Sequence, residues 1–255
     1  MPEAYERHLV PVFFRPFAAD LAARAAALQP LTVLELAAGT GALTSALLTA
    51  VPTASVVATD LNEAMVTAGS ARESRADWRQ ADAQELPFED GSFDLVLCQF
   101  GVMFFPDRAA AYSEVGRVLA PQGRFLFNSW GPLASHGFGA AFQEALEQSM
   151  PEGAPSFLKD VPHGYTDPAV VAADLAIAGL ALATTVEITL DGVAESASSV
   201  ATGFLTGTPV SAAMEARQDA GTIRASVTQK MTALLGTGAV TAPMTATVYT
   251  AHHQV

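Results

Sequence analysis

The run Val33-Leu34-Glu35-Leu36-Ala37-Ala38-Gly39-Thr40-Gly41 restricts this chain more than any other segment. Thr32 to Leu36 reads as a short buried strand carrying one acidic side chain near its end. Small residues follow, and glycine lets the main chain turn sharply and lets a ligand lie directly against it. Ala42 to Ala50 then reads as a helix ending near Pro52, and the first turn of such a helix offers unpaired N–H groups to whatever rests on the loop. A strand that turns through glycine into a helix is the opening unit of a parallel sheet covered by helices.

The rest of the chain repeats that unit. Ser55 to Thr59 is a second buried strand ending at Asp60, and Asn62 caps a helix running to about Ser74. Trp78 to Ala81 is a third strand, Leu86 to Gly91 a turn, and Phe93 to Cys98 a fourth strand. Asp107 opens a helix that continues to Leu119, Pro121-Gln122-Gly123 breaks it, and Arg124 to Trp130 is a fifth strand. Short apolar strands without polar alternation imply a sheet buried on both faces, so the expected fold is α/β, doubly wound and Rossmann-like. Upstream, Pro16 to Leu28 is helical and Pro30 stops it. Downstream, Asp167-Pro168 starts a helix that Gly179 closes, and Ala183 to Leu190 has strand propensity. Ser196 to Gly236 reads as helices broken by Gly203, Gly207-Thr208-Pro209 and Gly221, and Met244 to His252 is a seventh strand. Gly131 to Tyr165, rich in Gly, Pro and Ser, reads as the loosest part. The expectation is a single domain over 1–255, with a helical segment at 1–30, a ligand-binding core at 31–130 and a C-terminal half at 131–255. That half carries a helical insertion at about 196–236 before a final strand at about 244–252.

The acidic residues at the strand ends suggest the ligand. A dinucleotide site wants Gly-x-Gly-x-x-Gly, with pyrophosphate on the helix end. Counting from Gly39, the third glycine is replaced by Thr44, and Glu35 would repel pyrophosphate. A ligand carrying an ammonium and a sulfonium would welcome that carboxylate, which favours S-adenosylmethionine over NAD. Asp60 stands where a carboxylate accepts ribose hydroxyls, a device both ligands use. Leu61 and Met65 are candidates to pack on an adenine, and Asp82-Ala83 is placed to receive its amino group. Singly, Asp60 and Asp82 also read as loop caps; it is the ordered set of Glu35, Gly39, Gly41, Asp60 and Asp82 that argues for a site.

Composition narrows the partners. The net charge of −13 repels phosphate backbones at long range, and the basic residues are scattered, so no nucleic-acid partner is expected. The mean hydropathy is +0.29, yet no apolar run reaches the roughly 20 residues a membrane span requires, because alanine supplies much of it. No signal peptide is expected at the N-terminus. Cys98 is the one cysteine, which fits a cytoplasmic protein. No Cys/His cluster has metal-ligand spacing, adjacent His252 and His253 on a strand would face opposite ways, and no Gly-x-Ser-x-Gly elbow follows a strand.

Val33–Gly41, Ala58–Met65, Ala81–Phe88 and Phe93–Phe105 together resemble the successive motifs of class I S-adenosylmethionine-dependent methyltransferases. The group they resemble is that of ubiquinone and menaquinone biosynthesis, methyltransferase type 11. Arg117-Val118-Leu119-Ala120-Pro121-Gln122-Gly123-Arg124 is similar to that group's turn into the fifth strand. The resemblance spans Thr32 to Trp130 and implies methyl transfer to a small-molecule acceptor. It implies that Glu35 sits near the methionine part of the cofactor, Asp60 on the ribose, and Asp82 and Ala83 by the adenine. Gln99 and Phe100 follow the fourth strand, where the family places methyl group and acceptor. Phe100, Met103, Phe104 and Phe105 are candidate walls of an apolar pocket, with ordinary core packing as the competing reading. The family often has glycine at the position of Ala37; alanine there costs little if φ is negative. Tyr5, Phe13, Phe14 and Phe17 fall in a segment that lies over the cofactor in similar enzymes, Tyr5 foremost, and the 196–236 insertion corresponds to a cap.

Transfer from a sulfonium needs alignment first, and a base only where the nucleophile must shed a proton. His8 in the N-terminal segment and His136 just past the fifth strand, at the expected pocket rim, are the candidates; a surface or structural role is the other reading of each. Three rival functions stay open on the sequence: a cofactor-binding protein without transferase activity, an NAD-dependent oxidoreductase, and methylation of protein or nucleic acid, which the acidity disfavours.

Overall fold

A computed structural model describes residues 2–215 and 217–254; Met1, Ala216 and Val255, which the expected single domain includes, lie outside the described residues. The chain starts helically, through α1 (Pro2–Ala4), a π-helical stretch (Tyr5–Phe14) and α2 (Arg15–Ala27). Pro11 falls within the π-helical stretch, where the wider turn suits a residue that cannot donate an i→i−4 bond. Sequence periodicity anticipated the helix and not its wider register.

Next come β1 (Thr32–Leu36), α3 (Ala42–Ala50), β2 (Ser55–Asp60), α4 (Glu63–Arg72), β3 (Asp77–Gln80) and β4 (Phe93–Gln99). They are followed by α5 (Arg108–Val118), β5 (Leu119–Trp130), α6 (Gly137–Ser149), α7 (Phe157–Asp160), α8 (Pro168–Ile177) and β6 (Leu180–Ala194). The chain finishes with α9 (Ala197–Gly207), α10 (Val210–Glu215), α11 (Ala220–Leu235) and β7 (Val240–His253). The seven strands form one sheet in the order β3-β2-β1-β4-β5-β7-β6. Strands β1 to β5 pair in parallel, and β7 runs antiparallel to β5. This is the doubly wound α/β fold expected. The strand order reverses between β1 and β4, so the carboxyl ends of those two strands flank the position where such sheets bind ligands.

The expected caps are in place. Asn62 accepts from the Ala64 N–H at 2.9 Å, Asp107 from the Ala110 N–H at 2.9 Å, and Asp167 from the Ala169 N–H at 2.8 Å ahead of Pro168. Some boundaries move. Strand β5 begins five residues before Arg124, because Leu119 already pairs with Phe93 while Arg124 pairs with Leu95. The residues between them bulge out, and a Cβ on Gly123 would stand 2.9 Å from the Ala120 carbonyl oxygen. Strands β6 and β7 also outrun the expected 183–190 and 244–252.

By its internal contacts the chain divides into two units. One comprises Phe17–Trp130, Tyr165–Ile188 and the residues from Ala246 on. Its core on one face joins Leu21, Ala22 and Ala25 of α2 and Leu43 and Leu47 of α3 to Val33, Val56, Leu95 and Leu97 of the strands. Elsewhere in the unit Tyr112, Phe125, Phe127 and Tyr249 pack as a column of rings. The other unit comprises residues 2–16, 131–164 and 189–245 as far as described. It holds α6, within the stretch expected to be loosest. Phe138, Ala141, Phe142, Ala145 and Leu146 are all buried there, at helical spacing. Flanking Gly, Pro and Ser masked that periodicity, since turn residues on both sides outweighed an apolar stripe of two turns in the reading.

Candidate functional site

The turn from β1 to α3 is built from alternate left-handed residues. Ala37 has φ +51°, Gly39 +58° and Gly41 +89°. The condition under which alanine would cost little, a negative φ, is therefore not met at Ala37; a Cβ in that conformation costs ~1 kcal/mol, so the loop carries strain that glycine would have avoided. The methyl group finds room because its neighbour in the turn after β4 is glycine: a Cβ on Gly101 would stand 2.7 Å from the Ala37 Cβ and 2.6 Å from the Cys98 Sγ. The loop is tied to the end of β2. Ala38 N–H donates to the Thr59 carbonyl at 2.8 Å, and Gly39 N–H donates to Asp60 Oδ2 at 2.8 Å. Gly41 forms the N-cap of α3 and brings no side chain to bond the helix's first turn. The Trp78 indole closes in beside it, 3.1 Å from where a Cβ would stand, and lies flush on Gly69 of α4.

Glu35 is buried in β1, and its Oε2 accepts from the Thr44 hydroxyl at 2.7 Å. Thr44 is thus the residue that replaces the third glycine of the dinucleotide pattern. It trades close helix–strand packing for a hydrogen bond to the strand's carboxylate. Burial pushes Glu35 up to about 8; the Thr44 hydroxyl opposes the shift and the nearby Asp60 charge adds to it. Burial also raises Asp60, against the backbone N–H groups of Asn62 and Gly39 that stabilise its charged form. Asp60 Oδ1 accepts from Asn62 N–H at 2.9 Å. Two carboxylates therefore stand close enough to repel, at the base of a bare loop, and the donors they accept from, the Thr44 hydroxyl and the Gly39 and Asn62 backbone N–H groups, are neutral. Such a donor set fits a ligand that brings positive charge. Glu35 itself is 1% exposed, with one carboxylate oxygen taken by Thr44.

The other expected cofactor residues surround this centre unevenly. Leu61 is 65% exposed and Met65 is half-buried on α4. Asp82 and Ala83 are half-buried past β3, where the Asp82 carboxylate accepts from the Gln84 backbone N–H at 2.9 Å and side-chain amide at 3.1 Å. Asp82 thus shapes its own turn as well as standing at the strand end. Gln99 ends β4, half-buried and opposite Asn128 of β5. Phe100 is buried, with its ring stacked on Trp130 at 3.7 Å and edge-on to Phe17 at 5.2 Å, so it packs as core rather than as an open wall. On the 3-10 turn Val102–Phe104, Met103 is buried and Phe104 is 48% exposed, so of these two expected wall residues Phe104 is the one at the surface.

Tyr5, His8, Phe13 and His136 belong to the other unit. Tyr5 packs its ring on Phe14 at 5.1 Å, and half-buried His8 lies against Gly203 of α9. Phe13 is buried among Phe138, Phe204 and His136. His136, expected at a rim, is buried: its Nδ1 accepts from the Gly139 N–H at 3.0 Å and so caps α6. Burial, then the neighbouring His163, push its pKa down to about 3, which leaves a neutral imidazole already engaged as an acceptor. That position serves the helix as its N-cap.

Sequence reasoning missed Thr44, Thr59, Trp78, Gly101 and Asn128. Thr59 Oγ1 donates to the Glu35 carbonyl at 2.8 Å, joining β2 to β1 at the loop's root. Thr44 was visible as a departure from the glycine pattern; the others carry no local signal, because each acts on a residue far away in the chain. Among the described residues no group of three or more His, Cys, Asp or Glu could hold a metal ion, and no helix is long and apolar enough to cross a membrane.

A family model described as a methyltransferase domain matches residues 34–127. The demethylmenaquinone methyltransferase of Thermus thermophilus is 32% identical over 182 residues, covering 66% of this chain and 81% of that protein. The protein of the same name from Deinococcus radiodurans is 36% identical over 135 residues, 51% of this chain and 56% of its own length. Apart from the Thermus protein, the chain spans about half the length of the curated relatives it matches. The YcgJ protein of Bacillus subtilis has a TM-score of 0.60 at 19% identity, covering 94% of this chain and 100% of that one, a likeness of fold.

Proposed function

The chain belongs to the class I S-adenosylmethionine-dependent methyltransferases, and from that membership we propose that it methylates a small, flat, weakly charged acceptor of the quinone type. The observation that carries the cofactor assignment is the pair of repelling carboxylates, Glu35 and Asp60, under a left-handed loop. S-adenosylmethionine supplies the methyl group as a sulfonium. Asp60 provides negative field that favours its charge, buried Glu35 ionises when that positive charge arrives beside it, and Gly39 and Gly41 leave the main chain bare for it. Asp60 keeps lone pairs for ribose hydroxyls beyond those given to Gly39 and Asn62. Asp82, Ala83, Leu61 and Met65 are assigned to the adenine side, Gln99 to the methionine side, and exposed Phe104 to the acceptor. No base is assigned, because alignment and water exclusion supply most of what a reactive donor requires. The quinone class rests on the names of the curated relatives, and the net charge of −13 argues against polyanionic acceptors. A cytoplasmic location is part of the same reading, supported by the absence of a membrane-length apolar helix among the described residues.

Calorimetry with S-adenosylhomocysteine and with NADH tests the cofactor: the first binds and the second does not. NADH binding, or no heat with S-adenosylhomocysteine, rejects it. Incubation of labelled S-adenosylmethionine with a reduced naphthoquinone then tests the acceptor, and label that stays on the donor rejects the quinone class.

A further inference from the structure

Two adjacent strands of the sheet leave it through non-glycine left-handed residues. One is Ala37 after β1; the other is Phe100 after β4, with φ +52°. A bulky residue in that region is strained and persists only where its surroundings hold it. Three contacts hold Phe100. Its ring is clamped between Trp130, stacked at an interplanar angle of 8°, and the edge of Phe17. Its backbone N–H donates to Asn128 Oδ1 at 2.9 Å. Because an N–H needs an acceptor, this bond also decides which end of the Asn128 amide faces the turn. The amide nitrogen at the other end is buried and has no hydrogen-bond partner.

An orphan buried donor costs ~1–3 kcal/mol, so for packing alone an apolar side chain would serve better in a fully buried position on β5. The amide earns its place through its oxygen. What that oxygen holds is the turn carrying Gly101, and Gly101 is the residue whose missing side chain accommodates the Ala37 methyl. The line of contact runs from Asn128 through Phe100 and Gly101 to Ala37, and so into the Gly39–Gly41 loop.

We propose that Asn128 is a positioning residue for cofactor binding: its amide oxygen holds the Phe100 turn, which in turn seats the Ala37 side of the cofactor loop. The proposal rests on the cofactor reading above and concerns the same site. Asn128→Leu keeps the shape and loses the acceptor; Asn128→Ala loses the acceptor without filling the space. Asn128→Asp, assayed at pH 6 where a buried carboxyl is protonated, keeps an acceptor oxygen. Calorimetry on the full chain with S-adenosylhomocysteine should show affinity at least tenfold weaker in Asn128→Leu, or in Asn128→Ala if the leucine variant does not fold. Asn128→Asp should stay within about threefold of wild type. Wild-type affinity in the leucine or alanine variant overturns the proposal, whatever the melting temperature does, and so does an aspartate variant as weak as the leucine one. If wild type itself fails to bind the probe, the cofactor reading falls instead.

Discussion

Two buried titratable groups, one in each unit, are driven to the neutral form by their surroundings, and they differ in what they gain from it. His136 has its pKa pushed down to about 3, and its Nδ1 caps α6 through the Gly139 N–H. Its neutrality costs the fold little, because a neutral ring is what the cap requires. Glu35 has its pKa pushed up to about 8, chiefly by burial, and the Asp60 charge that adds to the shift has the same sign. Burial with a satisfied bond marks a structural group. Burial beside a like charge, next to a strained loop, marks a group whose counter-charge arrives with a ligand.

The contrast breaks most visibly at Asp60. Asp60→Ala removes both the repulsion on Glu35 and the anchor of Gly39, so affinity for S-adenosylhomocysteine should fall at least tenfold, ~1.4 kcal/mol or more. Calorimetry that found unchanged affinity would mean that the loop does not depend on its carboxylate. Glu35→Gln sharpens the comparison in both directions. The raised pKa means that Glu35 favours the folded state fully below the ordinary carboxylate range and loses that contribution as pH climbs through about 8. The glutamine variant should therefore be more stable than wild type at pH 8.5, by roughly 1 kcal/mol or more, while binding the sulfonium cofactor severalfold less tightly. Chemical denaturation at pH 6 and 8.5 reads the first effect; equal pH dependence in the two proteins would contradict it.

The smallest effect belongs to His136. With a depressed pKa its contribution is present above pH 6.5 and is lost as pH falls toward 3. His136→Gln should flatten the acid limb of the stability profile between pH 6.5 and 4 by about 1 kcal/mol or more, at some loss of the α6 cap. Cofactor affinity at pH 7 should be unchanged. A tenfold drop in affinity there would return His136 to the list of functional residues.

What could be read from the chain alone was whatever depends on near neighbours. The alternation of apolar runs and glycine turns gave the parallel core, and Asn62, Asp107 and Asp167 gave three helix starts, because a cap acts within three residues of itself. The order Glu35, Gly39, Gly41, Asp60, Asp82 pointed to the ligand because strand ends of a doubly wound sheet converge by topology. Beyond that range only the folded chain decided. That Ala37 is left-handed, that Gly101 makes space for it, that Thr44 reaches back to Glu35 and that Asn128 holds Phe100 are matters of distance between strands. So are the pKa values, since desolvation depends on everything packed around a group. Sequence carries the alphabet of local conformation; charge, strain and burial are collective quantities that exist only once the strands lie side by side.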